Sequence, residues 1–235
     1  MRNTTSRIYK IVKKNNQPSK YIYIIINYIY IYMNFQKLLE AHHFQTGDII
    51  LFSYSGSNIL DNLIKYFTGS ELTHTAMIIH DPPWREDLKG YYLLQSNREG
   101  IDIDAEDNEK KLGVELTKFE DALNYNGKIY WRHIIVNRDE TFNKNLEEAH
   151  SKVHNRPYDM NLLDWIKGAF KIDMGNTQKS KTFWCSALVS YMLVQLNLLD
   201  KETDWTLISP AELSSNVDTL KFINCRVSHD ILIKD

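Results

Sequence analysis

Cysteine is scarce in this chain: among 235 residues there are two, Cys185 and Cys225. They could close one disulfide at most. A chain of this length with 43% hydrophobic residues can bury a sizeable core without a staple. With no small-residue cleavage site of the secretory kind near its start, free thiols in a reducing, cytoplasmic compartment are expected. The chain also lacks a phosphate-binding loop, a dinucleotide glycine pattern, a zinc-type cysteine cluster and any repeat of solenoid length, so nucleotide, dinucleotide and solenoid readings fall away. Acidic residues are missing from two places. Residues 1–33 hold six basic side chains and no acid, which leaves the remainder about eight charges negative. That acidic body argues against a nucleic-acid groove. The second gap runs from Met174 to Leu199 and surrounds Cys185.

Long apolar runs are also absent. The longest, Tyr21–Met33, is thirteen residues of Tyr and Ile interrupted by Asn27, short of the roughly 20 that span a bilayer as a helix. Three readings compete for it: an interfacial anchor with basic flanks, a β-rich strand pair, or codons upstream of a start at Met33. The last is preferred, because Tyr/Ile/Asn/Lys bias is what AT-rich DNA yields and MNFQKLLEAHHF opens like an ordinary helix. Residues 1–32 are therefore read as a low-complexity leader, untranslated or disordered, and 33–235 as one domain. If translated, the leader offers peripheral membrane contact.

The body reads as α+β, with clustered strands and flanking helices. A short helix is expected over Asn34–His43, a buried strand in GDIILF, a helix in SNILDNLIKYFTG, and strands in THTAMIIH and GYYLLQSN parted by Pro82 and Pro83. Six acids between Glu99 and Glu109 suggest an exposed loop before VELTKF. KIYWRHIIV alternates as one strand, 139–154 forms a helix burying Phe142, Leu146, Ala149 and Val153, and RPYDMNLLDWIKGAF gives a turn and another helix. The last strong helix begins at KTFWCSALVSYML and runs to Leu199, with Leu188, Val189, Met192, Leu193 and Leu196 on its apolar face.

Cys185 therefore falls in the first turn of a helix, where unpaired N–H groups and the positive dipole end favour thiolate, with Lys179 and Lys181 adding to the field. A buried structural cysteine is the competing reading. A nucleophilic thiol needs a base, and His74 is the best placed, opening a strand whose alternation puts His74, Ala76 and Ile78 on one face. Ala76 would leave room there for a helix end. Gln95, on the same face as Tyr91 and Leu93 of the next strand, could take the imidazole N–H. Metal binding through His42 and His43, His80, or the i, i+4 pair His150 and His154 is weighed against surface histidines, which are preferred. No cofactor or metal is expected.

GDIILF, THTAMII, YYLLQS, RPYDMNLLDW, FWCSALVSYML and LISPAEL, spread over Gln45–Leu213, resemble the signature blocks of the circularly permuted papain-like cysteine hydrolases. This is the YiiX-like branch of the NlpC superfamily, which includes poxvirus and other large-virus members and is related to lecithin retinol acyltransferase. The resemblance implies a permuted papain-like fold with an antiparallel sheet packed on the cysteine helix. It implies Cys185 as nucleophile, His74 as general base and Gln95 as the third residue, in a place where many relatives carry Glu. Tyr158 and Asp159 resemble the family's Pro-Tyr-Asp motif at the groove wall, with a rigid helix entry as the alternative role. Trp184, immediately before the nucleophile, is placed with Tyr158 and Asp159 beside the substrate groove and is read as packing the helix start rather than contacting substrate.

The implied activity is a thiol hydrolase or acyltransferase of the cysteine peptidase or amidase kind, acting on a peptide, an amide or an acylated small molecule or lipid. The competing class is a binding module for lipid or peptide that keeps the fold without catalysis. A viral origin would place the protein in the host cell or virion.

Overall fold

The structure, a computed structural model, describes residues 20–54, 62, 65, 68–158, 184–217 and 219–235. It separates into two compact units, one of residues 1–43 with 120–124, the other of 44–119 with 125–235. In the first unit, helix α1 (Lys20–Ala41) runs through Met33 without a break. Ile24, Ile25, Tyr28, Ile29, Tyr30, Tyr32 and Met33 are exposed along it, whereas Phe35 and Leu38 are buried. The helix expected from Asn34 is thus the last part of a longer one. No helix of the described residues is long and apolar enough to cross a membrane.

The second unit is α+β. Its antiparallel sheet has the order β4-β3-β2-β1-β5-β8, from β1 (Ile49–Tyr54), β2 (His74–His80), β3 (Tyr91–Asn97), β4 (Gly113–Lys118), β5 (Gly127–Arg132) and β8 (Ile231–Lys234). A second ladder pairs β6 (Ile134–Ile135) with β7 (Arg226–Val227). Helices α2 (Glu140–Val153) and α3 (Cys185–Gln195) are the α-helices with described bounds in this unit. KIYWRHIIV is therefore two strands, parted at His133, because the chain leaves one ladder for the other there. The SNILDNLIKYFTG helix falls largely outside the described residues, although 62, 65 and 68 are helical.

Alternation sorts the sheet into two faces. Ile49, Leu51, Met77, Ile79, Tyr92, Leu94, Val114 and Leu116 share one core with the inward residues of α2 and α3. Phe142, Leu146, Ala149 and Val153 are the buried stripe of α2, as its 3.6-residue period predicts, and Asp139 caps the helix by accepting from Phe142 N–H at 3.0 Å. Every residue of α3 from Cys185 to Leu193 is buried, so this helix is enclosed all round and not amphipathic. It ends at Gln195, short of Leu199. The other sheet face carries Ile50, Phe52, Ala76, Ile78, Leu93, Ile129 and Trp131, with Phe44 and Phe119 stacked edge-on beneath them.

Asp48 anchors the start of β1. It is fully buried, and its carboxylate accepts from Trp131 Nε1 at 2.8 Å, Ile134 N–H at 3.0 Å, Gln45 N–H at 3.0 Å and Arg138 Nη2 at 3.3 Å. His133 Nδ1 lies 3.0 Å away. One side chain thereby ties β1 to β5, β6 and the α2 approach. A carboxylate without water is tolerated because every direction around it holds a donor.

Candidate functional site

His74 is the first residue of β2 and Gln95 the fifth of β3. The register sets Ile78 opposite Leu93 and Gln95 opposite Glu115 of β4, so His74, Gln95 and Glu115 point from the same face. His74 Nε2 stands 2.8 Å from Gln95 Oε1. The Gln95 amide nitrogen donates to Glu115 Oε1 at 3.1 Å and Thr117 Oγ1 at 3.2 Å. Gln95 is buried and Glu115 almost completely so, at 1% exposure. The expected pairing of imidazole and amide across neighbouring strands is present.

Burial pushes the Glu115 carboxyl up to about 7; hydrogen bonds from Asn97 and Gln95 pull it down, and the charges of Asp102 and Asp104 raise it further. Neither Glu115 nor Thr117 stands out in the sequence. The available signal was the alternation of VELTKF, which puts Glu115 and Thr117 on one face and Val114 and Leu116 on the other. What was missing was the register that aligns that polar face with Gln95.

Cys185 opens α3, preceded by Trp184 in extended backbone as the N-cap residue. Trp184 is half-buried against the core shared by α2 and α3, which matches a packing role at the helix start. The sulfur is buried. Backbone N–H groups of Thr75, Ser186 and Cys185 itself face it, and the charge of Arg98 acts on it; all of these favour thiolate, yet burial outweighs them and pushes the thiol up to about 11. The expected depression of this thiol is therefore overturned. A helix start supplies a fraction of a charge, whereas loss of water costs an anion several kcal/mol. Among the described residues, Arg98, just past β3, is a basic group acting on the sulfur; Lys179 and Lys181 lie outside them.

The room expected beside Ala76 for a helix end also needs correction. Ala76 shares the His74 face, while α3 packs on the face of Met77 and Ile79. Strand alternation thus assigns His74 to one face of the sheet and α3 to the other. They are joined at the leading end of β2, where Thr75, the residue after His74, presents its N–H to the Cys185 sulfur.

Tyr158 is half-buried at the end of a stretch that covers the edge of β4: Val114 N–H donates to Arg156 C=O at 2.8 Å. Gly113 makes this approach feasible, since a Cβ there would stand 2.8 Å from Pro157 Cα and Tyr158 N, and its φ is +121°. Asp159 and the expected helix after it lie outside the described residues.

The loop before β4 is not simply exposed. Asp104 is fully buried and accepts from Leu116 N–H at 3.1 Å. Glu106 accepts from Trp84 Nε1 at 2.7 Å and His150 Nε2 at 3.0 Å, with His150 stacked on Trp84 at 3.8 Å. His150 is thus a buried residue and not a surface one. Asp104, Glu106 and His154 each offer a ligand atom within 4.8 Å of one another. The Lys111 ammonium sits in the same cluster, paired with Asp104 and Asp107. Both cysteines are free.

No family model matches the chain, and no curated protein matches it. Among solved structures it is similar to the metalloprotein yiiX from Escherichia coli O157:H7, at 16% identity and a TM-score of 0.44, over 80% of this chain and 97% of that one.

Proposed function

We propose that the chain is a circularly permuted papain-like thiol hydrolase or acyltransferase with Cys185 as nucleophile, His74 as general base and Gln95 as the residue that orients the imidazole. The observation that carries this reading is the 2.8 Å contact between His74 Nε2 and Gln95 Oε1 at the same strand end where Thr75 N–H faces the Cys185 sulfur. Gln95 engages Nε2, so proton exchange with the thiol uses Nδ1.

The buried thiol decides the form of the chemistry. A group held near 11 is neutral at rest, so the proton leaves sulfur as attack occurs rather than beforehand. Sulfur bonds to the carbonyl carbon of a peptide, amide or acyl ester while the thiol proton passes to His74. The oxyanion lies against N–H groups at the start of α3. The carbon–nitrogen or carbon–oxygen bond then breaks, and the imidazolium returns its proton to the departing amine or alcohol. Water, or an acceptor amine or alcohol, attacks the thioester and gives its proton to His74. The carbon–sulfur bond breaks and sulfur recovers the proton.

1,3-Dibromoacetone, which bridges a thiol and an imidazole within a few ångströms of each other, tests the pairing without knowledge of the substrate. A crosslinked peptide joining Cys185 and His74 is expected, lost in C185A. Single-site alkylation of Cys185 alone would reject the proposal. A second reading, a lipid- or peptide-binding module without turnover, is favoured by the same raised thiol and by the opposite faces of His74 and α3. It is the reading that remains if crosslinking fails while the fold is intact.

A further inference from the structure

We infer that Glu115 is a positioning residue that fixes the tautomer of His74 through Gln95, so that the acid a third residue would ordinarily supply is present one strand further out. The inference rests on His74 being the base proposed above. Its argument is one of donor and acceptor bookkeeping along three neighbouring strands.

An amide can present either end to a neighbour. If Gln95 offers its oxygen to His74 Nε2, that nitrogen must carry the proton, and the lone pair lies on Nδ1. If the amide were reversed, its NH₂ would donate to Nε2, the proton would move to Nδ1, and no basic nitrogen would remain for the thiol. Gln95 taken with His74 alone has no preference. Glu115 supplies one in its ionised form, which prevails above pH about 7: the carboxylate can then only accept, it stands directly across the ladder from Gln95, and its Oε1 is 3.1 Å from the Gln95 nitrogen. Reversal would press an amide oxygen against that carboxylate in a site with 1% exposure. Thr117 at 3.2 Å is a second acceptor but could rotate its hydroxyl to donate instead, so it does not discriminate. Burial makes the constraint strong, because there is no water to take over an orphaned amide group. When His74 becomes imidazolium, the carboxylate also polarises Gln95 toward it, and part of the lost charge stabilisation is recovered.

Nitrogen-15 NMR of histidine-labelled protein tests this without any substrate. At about pH 8, where Glu115 is mostly ionised, the neutral His74 ring in the unaltered protein is expected in the Nε2–H form; an Nδ1–H form there would overturn the inference at once. E115Q, whose own amide can donate or accept, is expected to give a mixture of both forms and to lower the His74 pKa by about one unit. An unchanged tautomer and pKa in a folded E115Q would reject the role. E115A, which removes the acceptor altogether, is expected to give the same mixture and serves if E115Q does not fold; an E115A signal identical to the original rejects it equally. In a Q95L background E115Q should have no further effect, and an equal effect there would mean that Glu115 acts by its field and not through Gln95. All these readouts persist in C185A, so failure of the proposed enzymatic activity leaves them intact and the two ideas fall separately.

Discussion

Gln95 and Glu115 face each other across the β3–β4 ladder and are joined by an amide-to-carboxylate hydrogen bond of 3.1 Å in a site closed to solvent. Replacing Gln95 by Leu leaves Glu115, Thr117 and the His74 ring without the group that connects them. Each stranded polar atom costs about 1–3 kcal/mol. Q95L is expected to lose about 2 kcal/mol or more in chemical denaturation and to slow acylation of Cys185 by an activated acyl probe about 100-fold. Labelling at an unchanged rate would show that His74 needs no orienting partner.

Glu115 also leaves a signature in stability. Its folded pKa of about 7 lies above the ordinary 4.5, so the folded state holds the proton more tightly and stability falls as pH rises from about 4.5 through 7. E115Q removes that dependence. The stability difference between E115Q and the original chain should move in favour of E115Q across this window, by an amount on the order of 3 kcal/mol. Parallel denaturation curves at pH 4.5 and pH 8 measure it, and a constant difference contradicts a buried titrating carboxyl.

Cys185 should react slowly with simple alkylating agents. A thiol raised from 9.0 to about 11 has about 100-fold less thiolate at neutral pH than an open-chain cysteine. Iodoacetamide kinetics followed by mass spectrometry are expected to show that deficit, with the rate still climbing above pH 9. Rapid modification at pH 6 would place the sulfur in an ion pair instead.

Asp48 carries no proposed chemistry and a large structural share. D48A takes the acceptor from Trp131 Nε1 and the Ile134 N–H and the counter-charge from Arg138, which keeps its carbonyl acceptors, and a loss of about 3–5 kcal/mol is expected. Thermal unfolding of D48A against D48N separates the charge from the hydrogen bonds.

G113A should cost about 3 kcal/mol or more, since the added methyl meets the backbone of Arg156, Pro157 and Tyr158 and the residue sits at φ +121°. G90A is the control: its φ of +96° is equally unsuited to Ala, but nothing lies within 4 Å of its added methyl. Comparable losses in both would mean that conformation, not crowding, is responsible.

The parts of this architecture that could be read from residues alone are those governed by local period. The α2 stripe of Phe142, Leu146, Ala149 and Val153 and the alternation of β2 and β3 follow from side-chain geometry along one element. His74 beside Gln95 could be anticipated because both belong to adjacent strands with a short connection. Glu115 could not, since its relevance depends on a third strand reached after a gap of fifteen residues and on a register that only the folded sheet sets. The Cys185 thiol departs from its sequence expectation for a related reason. Helix position and nearby charge are visible in sequence, whereas enclosure of α3 on every side is a property of the whole fold. Asp104 and His150 were likewise read from the polarity of their neighbours, although tertiary packing buries both.

The cover over β4 reaches beyond its own stability. Along that outermost strand the Val114 N–H is taken by Arg156, the Leu116 N–H by Asp104, and the Leu116 carbonyl by Ala105 N–H. Among the described residues, these three groups are thereby closed to an incoming chain. Intermolecular pairing at this sheet is thereby biased toward the opposite margin, along the four residues of β8, away from the flank bearing Glu115, Gln95 and His74.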